Sequence, residues 1–490
     1  MRQDIYLIAV DQGSSGTMSA LFDGDLRQVD CVDIPVSVAT PRYGWVEQDP
    51  WELLNSVRDG AKRLMERNPE CLEGLAGIGL ANQGESFLLW DTQNGEPVTP
   101  VISWQDSRSE NYCTQLKQEG RGRWFHEKTG LHLSSEWPAL KVRELRRSDE
   151  KLDLQCRSGR IAFGQLDAWF LYVLTGGRRF ASDHGTACRT GFYNLRQGKW
   201  DEELIEFFCG SSLIFPELTD NVCRIEGLDL GIGKEIPWIA GGLDQSVTLI
   251  GQGCTQPADA KVTYGTCCAC WMNLGSKLVL DENLTTSIAW KIGEEYTYGL
   301  AAEGGASGSI VTWLLRNFST DWRLEDLSQI ARRYDDQESL LFVPAFGGLS
   351  APYWKEAKGT LFGITAGTRP EHILRAGLDA VAYTVRDILD CMPLIKKLVL
   401  DGGMSANEYL VQKQANVLQR PVEKSLEKEG TLLGIAHLCT RSLGVRAGIG
   451  EETKAEIVFP EADGQDGYRK WKQAVKTVIT YYNGRGVIDG

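Results

Sequence analysis

The chain has few histidines and lacks any long apolar run. Its five histidines are not spaced as metal ligands. Cys267, Cys268 and Cys270 lie close together, but the second group of ligands that would complete a zinc site is missing, so no zinc site is expected. No segment approaches the roughly 18 consecutive apolar residues of a membrane helix, and the apolar run at residues 5–10 is too short for a secretory signal. We therefore expect a cytoplasmic protein without a membrane partner, whose 13 cysteines are reduced.

The chain also lacks an excess of basic residues. Aspartate and glutamate number 66 against 52 lysines and arginines, giving a formal charge of −14. General nucleic-acid binders depend on Lys and Arg to neutralise phosphates, so no nucleic-acid partner is expected. At roughly 150 residues per domain, the length of 490 residues predicts two or three domains.

Glycine is abundant, with 53 residues against 16 prolines, and several glycines directly follow short apolar runs. Such junctions occur at residues 6–13, 78–84, 238–242, 262–265 and 398–403. Helical periodicity lies between them, as at residues 51–67 and 372–389, and Ser405 with Glu408 predicts a capping box. Strands that alternate with helices predict α/β domains with a ligand at the strand ends. We place the boundary near residue 250, between domains 1–250 and 251–490.

The first polar turn, Asp11-Gln12-Gly13-Ser14-Ser15-Gly16, combines a carboxylate with small residues. Backbone N–H groups in such a turn can cradle a polyphosphate, with Asp11 facing Mg²⁺. The alternative is an ordinary hairpin with Asx-type turn bonds.

The sequence does not match other known motifs for phosphate binding or for a catalytic nucleophile. At residues 227–234 the P-loop spacing is wrong, and no Gly-x-Gly-x-x-Gly turn follows the first strand. At residues 304–308 alanine stands where a nucleophile elbow needs serine.

Asp244 follows a strand and two glycines. There it could accept a proton from a substrate hydroxyl, or it could simply cap the helix that follows. Residue type alone favours the cap.

Taken in order, the motifs resemble the FGGY carbohydrate kinases, and among them the glycerol kinases most. The matching stretches are residues 11–15, 44–50 (Gly-Trp-Val-Glu-Gln-Asp-Pro), 82–85 (Asn-Gln-Gly-Glu), 102–108, 242–245 (Gly-Leu-Asp-Gln), 263–266 (Thr-Tyr-Gly-Thr), 342–354, 359–365 and 401–403 (Asp-Gly-Gly). The resemblance implies two actin-like (ribonuclease H-like) α/β domains, the first on the substrate side and the second on the nucleotide side of a cleft. It also implies ATP, Mg²⁺, a polyol or sugar substrate, and a homo-oligomer, either a dimer or a tetramer.

The resemblance assigns roles to individual residues. Asp244 is the implied general base, and Asp11 is the implied Mg²⁺ residue, directly or through water. The substrate-side positions are Gly84, Glu85, Trp104, Glu136, Gln245 and Ala269. The nucleotide and phosphate positions are Gln12, Gly13, Ser14, Ser15, Gly265, Thr266, Gly308, Thr312, Gly403, Met404 and Asn407. This set suits phosphoryl transfer, which needs positioning, a metal, phosphate donors and one base.

Four positions depart from the glycerol kinase pattern. Met18 and Gly84 each replace an arginine, Ala269 replaces phenylalanine, and Glu136 replaces tyrosine. The changes at Gly84, Ala269 and Glu136 predict a more open pocket and a substrate larger than glycerol, such as a longer polyol or a ketose. The alternative is that neighbours such as Glu136 or Trp137 refill the space.

A second class of function stays open. A non-catalytic, nucleotide-binding regulatory protein could share the actin-like fold, because fold alone does not determine function. Met18 supports this alternative. Asp244 and the two phosphate turns argue against it, since a regulator needs no base.

Overall fold

A computed structural model describes residues 5–210, 212–318, 322–334, 340–445 and 454–483. The first half of the chain contains the strands β1 (Tyr6–Gln12), β2 (Gly16–Asp23), β3 (Gln28–Pro35), β4 (Glu47–Gln48), β5 (Leu75–Asn82), β6 (Phe87–Asp91), β7 (Val101–Ile102), β8 (Ile161–Gln165), β9 (Ala181–Asp183), β10 (Tyr193–Asn194), β11 (Lys199–Trp200), β12 (Glu217–Thr219), β13 (Val222–Leu228) and β14 (Ile236–Leu243). Its helices are α1 (Pro50–Arg67), α2 (Glu110–Gln118), α3 (Gly122–Thr129), α4 (Pro138–Ser148), α5 (Glu150–Arg157), α6 (Leu166–Leu174), α7 (His184–Ala187), α8 (Glu202–Cys209) and α9 (Asp244–Gly251).

The main sheet of this half has the strand order β13-β14-β5-β1-β2-β3. β1, β2 and β3 form an antiparallel meander, whereas β5 pairs in parallel with both β1 and β14. Residues 7–10 of β1 are all buried because both faces of the sheet are covered. Ile8 and Val10 pack in the same core as α1, and Leu7 and Ala9 pack in the core of α14 (Gly430–Ser442).

A smaller sheet of order β4-β7-β6-β8 lies beside the main one. Its inner face packs with residues of α2 to α5 and α8 in a separate aromatic-rich core. This unit carries Trp104 on the loop after β7 and Glu136 on the loop before α4.

The second half contains the strands β15 (Asp259–Tyr264), β16 (Cys267–Gly275), β17 (Thr285–Ile292), β18 (Glu295–Ala306), β19 (Leu341–Val343), β20 (Thr360–Phe362), β21 (Lys397–Asp401), β22 (Val422–Ser425) and β23 (Ala455–Val458). Its helices are α10 (Gly308–Phe318), α11 (Leu327–Arg333), α12 (Pro370–Leu389), α13 (Glu408–Leu418), α14 and α15 (Gln465–Asn483). Short 3₁₀ turns lie at Pro69–Cys71, Leu324–Asp326 and Gly403–Ala406. The main sheet has the order β17-β18-β16-β15-β21-β22-β23, with β15, β21 and β22 parallel.

Helices α9 and α14 join the two halves of the molecule. Although α14 belongs to the second half of the chain, it packs on β1, β5 and β14 of the first sheet and against α9. The two helices touch through backbone, since a Cβ on Gly251 would lie 1.8 Å from the carbonyl oxygen of Gly430. A Cβ on Gly434 would lie 2.1 Å from the carbonyl oxygen of Val247. Side chains at these glycines would force the helices apart.

The alternation of strands and helices, and the helices predicted at residues 51–67 and 372–389, are confirmed. The capping box at Ser405 is wrong. Ser405 lies in a 3₁₀ turn and its hydroxyl donates to the carbonyl of Gly402, while Asn407 caps α13 by accepting from the backbone N–H of Leu410. Along the described part of the chain, no helix has both the length and the apolar character needed to cross a bilayer.

Candidate active site

Three parallel strands of the first sheet end at the same edge. Gln12 in β1 is level with Asn82 in β5, and Asn82 is level with Leu243 in β14. The segments that follow these residues therefore emerge side by side. The polar turn of residues 13–16, the segment 83–85 and Asp244 are brought together in this way, although up to about 230 residues separate them in the sequence.

The second sheet repeats the arrangement with two parallel strands. Thr263 in β15 is level with Asp401 in β21, so the turns Gly265-Thr266 and Gly402-Gly403 are neighbours. The N–H of Gly308, at the start of α10, donates to the carbonyl of Gly265 at 2.9 Å. Gly402 has φ +85° and a Cβ there would lie 2.7 Å from the carbonyl oxygen of Tyr264, so this position requires glycine.

These turns line a cavity of about 840 Å³. All of the nucleotide-side positions predicted in this half line it: Gly265, Thr266, Gly308, Thr312, Gly403, Met404 and Asn407. Val311, Leu324 and Leu327 add an apolar wall. A cavity of this size, lined by glycine-containing turns and by apolar side chains, has the character of a nucleotide pocket.

Ser14 links the predicted phosphate turn of the first half to the predicted substrate pocket. Its hydroxyl donates to Oε1 of Gln83 at 3.2 Å and accepts from the indole Nε1 of Trp104 at 2.9 Å. Gln83 also donates to Oε1 of Gln12 at 3.2 Å. Gly13 closes the turn by donating to the carbonyl of Gly16, and Ser15 is exposed beside it.

Asp244 is the first residue of α9, and Leu243 occupies the N-cap position. Oδ1 of Asp244 accepts from the N–H of the adjacent Gln245 at 2.6 Å. Burial, followed by the negative charges of Asp11 and Glu85, raises the pKa of Asp244 to about 8. A carboxyl group with a pKa in this range can exchange a proton with a hydroxyl near neutral pH.

Asp11 lies at the end of β1, directly opposite Met18 of β2. Burial raises the pKa of Asp11 to about 7, while a hydrogen bond from the Thr431 side chain in α14 lowers it and the charge of Glu429 raises it. A bound cation would favour the ionised form of this carboxyl group, which fits a position facing Mg²⁺. Within the described ranges, no three His, Cys, Asp or Glu side chains cluster in metal-binding geometry. A cation here would therefore take most of its ligands from phosphate or water, as Mg²⁺ at nucleotides commonly does.

Two buried lysines hold parts of the site, and the sequence analysis missed both. Lys261 in β15 donates to Oε1 of Gln245 at 3.3 Å and to Oγ1 of Thr263 at 2.7 Å. Lys141 in α4 donates to the carbonyls of residues 103 and 104, and burial lowers its pKa to about 8. For Lys261, a lysine within the apolar part of a strand is the signal that could have identified it; Lys141 lies in a helix with several other charged residues, and no local signal distinguishes it.

Arg189, just after α7, was also missed. Its Nε donates to Oε1 of Glu85 at 2.5 Å, and Glu85 itself has φ +58°. The predicted substrate carboxylate is therefore held by an arginine far along the chain. The sequence signal was a single arginine within the otherwise uncharged segment of residues 186–192.

The positions that depart from the glycerol kinase pattern have different surroundings. A Cβ on Gly84 would lie 2.6 Å from Cδ1 of Leu243, so Leu243 fills the space that a side chain at position 84 would take. Glu136 lines a cavity with Trp137 and Arg189, and Ala269 is half-buried in β16 opposite Thr263.

We expect Lys261→Met to move the pH dependence of activity. The positive charge of Lys261 lowers the pKa of Asp244, so its removal raises that pKa further above its present value of about 8. The acidic limb of the kcat/KM profile, which reports groups of the free enzyme, should shift to higher pH.

The matched control for this variant is Lys397→Met, in the neighbouring strand β21, where Lys397 pairs with Glu423. The control should leave the acidic limb in place. A profile for Lys261→Met that coincides with the wild type would show that Lys261 does not act on the ionising group.

The fold and the site together define a class: an α/β protein of two halves, with a nucleotide-sized cavity on one and a buried acidic group at the strand edge of the other. Family models place it more narrowly. The N-terminal domain model of the FGGY family of carbohydrate kinases matches residues 6–251, and the C-terminal domain model matches residues 260–443. The chain belongs to the FGGY family of carbohydrate kinases, as its motifs indicated.

Individual relatives agree with this assignment. The chain is 33% identical to a glycerol kinase of Xanthomonas campestris pv. campestris, over 97% of this chain and 99% of that protein. It is similar to a crystal structure of Plasmodium falciparum glycerol kinase with ADP, with a TM-score of 0.89, 25% identity and coverage of 97% and 98% of the two chains. A ligand-bound xylulose kinase from Lactobacillus acidophilus has a TM-score of 0.86 at 20% identity, with 99% of both chains covered. These structures confirm the predicted fold.

Proposed function

We propose that this protein is an ATP-dependent kinase that transfers the γ-phosphoryl group to a hydroxyl of a polyol or sugar. The observation that carries the proposal is Asp244, a carboxyl group with a pKa raised to about 8 that lies at the strand edge shared with the Asp11 turn. A regulator that only binds nucleotide would not need Asp244 as a second buried carboxyl group beside Asp11. Ionising two neighbouring buried carboxyl groups costs free energy, so the pair indicates a chemical use for the second one.

Asp244 takes the proton of the attacking hydroxyl in this mechanism. Its position at the first turn of α9 fixes the carboxyl group, and Lys261 orients the adjacent Gln245 towards the same pocket. Glu85, held by Arg189, accepts hydrogen bonds from the other hydroxyls of the acceptor. The bond between the acceptor oxygen and the γ-phosphorus forms as the bond from that phosphorus to the bridging oxygen of ADP breaks.

Phosphate binding is divided between the two halves. The donors for the phosphates are the backbone N–H groups of Ser14, Ser15 and Thr266 and the hydroxyls of Ser15 and Thr266, because the N–H groups of Gly13 and Gly265 already donate to the carbonyls of residues 16 and 267. Asp11 would bind Mg²⁺, directly or through a water molecule. Mg²⁺, when bound, neutralises charge on the phosphate oxygens during transfer.

The acceptor, on this proposal, is larger than glycerol. Ala269 leaves room where glycerol kinases carry an aromatic ring. Gly84 replaces the arginine of glycerol kinases, so this protein lacks the bidentate donor that an arginine would offer to a small triol. A Cβ at position 84 would meet Leu243, so we propose that the additional room lies towards Ala269 and Glu136. A site built around hydroxyls loses several powers of ten in specificity when partners are missing.

The experiment is acceptor-dependent ADP release over a panel of glycerol, four- and five-carbon polyols, and pentuloses. We expect kcat/KM to be higher for at least one longer acceptor than for glycerol. If glycerol gives clearly the highest value, the protein is a divergent glycerol kinase. If the protein binds nucleotide but no acceptor accelerates ADP release, the kinase proposal fails in favour of a regulatory, nucleotide-binding role.

A further inference from the structure

Asn221 is a fully buried asparagine between β12 and β13, and it is hydrogen-bonded to three different strands. Nδ2 donates to Oδ1 of Asp183 at 2.8 Å and to the carbonyl of Gly241 at 2.9 Å, while Oδ1 accepts from the N–H of Lys291 at 2.7 Å. Its backbone N–H donates to the carbonyl of Lys291 at 2.9 Å, and its carbonyl accepts from the N–H of Gly241 at 3.0 Å. Asn221 therefore joins β9, β14 and β17.

The bonds to β14 lie three residues before Asp244. β13 is level with β14 up to Ala240, and both backbone polar groups of the next residue, Gly241, bond to Asn221. Residues 241 and 242 are glycines, so they have no side chains that could fix this end of the strand by packing. The position of the strand end therefore depends on Asn221 on one side and on β5 on the other.

The bonds to β17 attach this strand end to the second half of the chain. Lys291 exchanges two hydrogen bonds with Asn221, as a strand partner would. The neighbouring Asp220 forms an ion pair with the Lys291 side chain and accepts from the N–H of Gly293 at 2.8 Å. Residues 220–221 thus hold the end of β14 against the turn between β17 and β18.

We propose that Asn221 is a positioning residue for phosphoryl transfer, which holds the end of β14 so that the carboxyl group of Asp244 meets the acceptor hydroxyl. This inference rests on the proposed kinase function. Asn221 acts through Asp244 rather than on the reacting atoms. A misplacement of about 1 Å can cost roughly 10²-fold in rate, so loss of the Asn221 amide slows the chemical step. Nucleotide binding is retained, because the cavity of about 840 Å³ is built from residues of the second half.

The first test compares Asn221→Ala with Asn221→Ser, in which a hydroxyl can still bond to one of the three partners. We expect kcat for acceptor-dependent ADP release to fall about 10–100-fold in Asn221→Ala and by a smaller factor in Asn221→Ser, with the Kd for ATP unchanged. If Asn221→Ala does not fold, Asn221→Ser decides the result. A native kcat in the folded variant would overturn the positioning role.

The matched control is Asn273→Ala. Asn273 in β16 is also buried, its Nδ2 donates to the carbonyl of Cys254 at 3.2 Å, and its Oδ1 accepts from the N–H of Gly275 at 2.7 Å. The control loses buried hydrogen bonds of the same kind, so its Tm should fall, but its kcat should stay at the wild-type value. An equal fall in kcat for the control would show a general effect of stability and would overturn the proposal.

A double variant tests whether Asn221 acts through Asp244. Added to Asp244→Asn, Asn221→Ser should slow the remaining reaction by less than about twofold, because the group that Asn221 positions has already been removed. Losses that multiply in the double variant would place the action of Asn221 elsewhere.

Hydrogen exchange separates this inference from the kinase proposal. Amides of residues 239–245 should exchange faster in Asn221→Ser than in the wild type, since the strand end has lost an anchor, and Asn273→Ala should leave them unchanged. Faster exchange, without acceptor-dependent ADP release in the wild type, retains the anchoring of β14 and overturns the kinase. Unchanged exchange at residues 239–245 overturns the anchoring, whatever the activity.

Discussion

Asp244→Asn is expected to lower phosphoryl transfer by roughly 10²–10⁴-fold, the range for a lone general base. The amide keeps the size of the side chain but cannot take a proton from the acceptor hydroxyl. Nucleotide binding should persist, because the cavity of about 840 Å³ is built from residues of the second half. The measurements are acceptor-dependent ADP release and, separately, the Kd for ATP.

The pH dependence of the wild type gives an independent check on this assignment. A base with a pKa of about 8 is protonated at low pH, so kcat/KM should rise as the pH increases towards 8, and Asp244→Asn should lose this rise. The matched control is Asp259→Asn, another buried aspartate, which accepts from the N–H of Gln256 near the start of β15. Near-native turnover by a folded Asp244→Asn protein would make Asp244 a structural residue.

Asp11→Asn is expected to weaken Mg²⁺-dependent nucleotide use by roughly 10²-fold or more, since a metal supplies several kcal/mol of charge stabilisation. Metal-free nucleotide binding should change much less, because the carboxylate acts on the ion rather than on the phosphates. Ionisation of Asp11, with a pKa of about 7, also predicts that the apparent affinity for Mg²⁺ falls as the pH drops below 7.

The measurement is a Mg²⁺ titration of activity together with nucleotide binding in the presence and absence of the metal. Asp33→Asn, at an exposed position of the adjacent meander, serves as the control for a change of charge near the turn. Equal losses with and without Mg²⁺ would instead indicate that the turn of residues 11–16 has misfolded.

Local patterns were sufficient to predict much of this fold. The apolar run of β1, the glycines after β5, β14, β15 and β21, and the amphipathic periods of α1 and α12 each lie within a short window. Hydrogen bonding and burial act on such windows directly, so strand, turn and helix were predictable. The Ser405 box failed because Asn407, also a good cap, lies one residue before the helix and has the hydrogen bond.

The order of the motifs along the chain was more informative about the family than any single motif. Asp11, Asp244 and the turns at residues 265 and 402 were each ambiguous alone, and the capping alternative for Asp244 was favoured on residue type. Nine such stretches in one order indicated the family, and family membership follows from the whole chain. The sequence by itself therefore determined the fold class and the family, and it predicted a ligand site at the strand ends.

Only the tertiary structure decided what surrounds those strand ends. Arg189 meets Glu85, Lys261 meets Gln245, Thr431 meets Asp11, and Leu243 fills the side of Gly84. These pairs are separated by between 16 and 420 positions in the sequence, and none shares a local pattern with its partner. The contact of Leu243 with Gly84 arises from the parallel register of β14 and β5, and that of Thr431 with Asp11 arises because α14 returns to the first sheet. The pKa values of the acidic groups and the shape of the proposed acceptor pocket depend on burial and on such partners, which no short window contains.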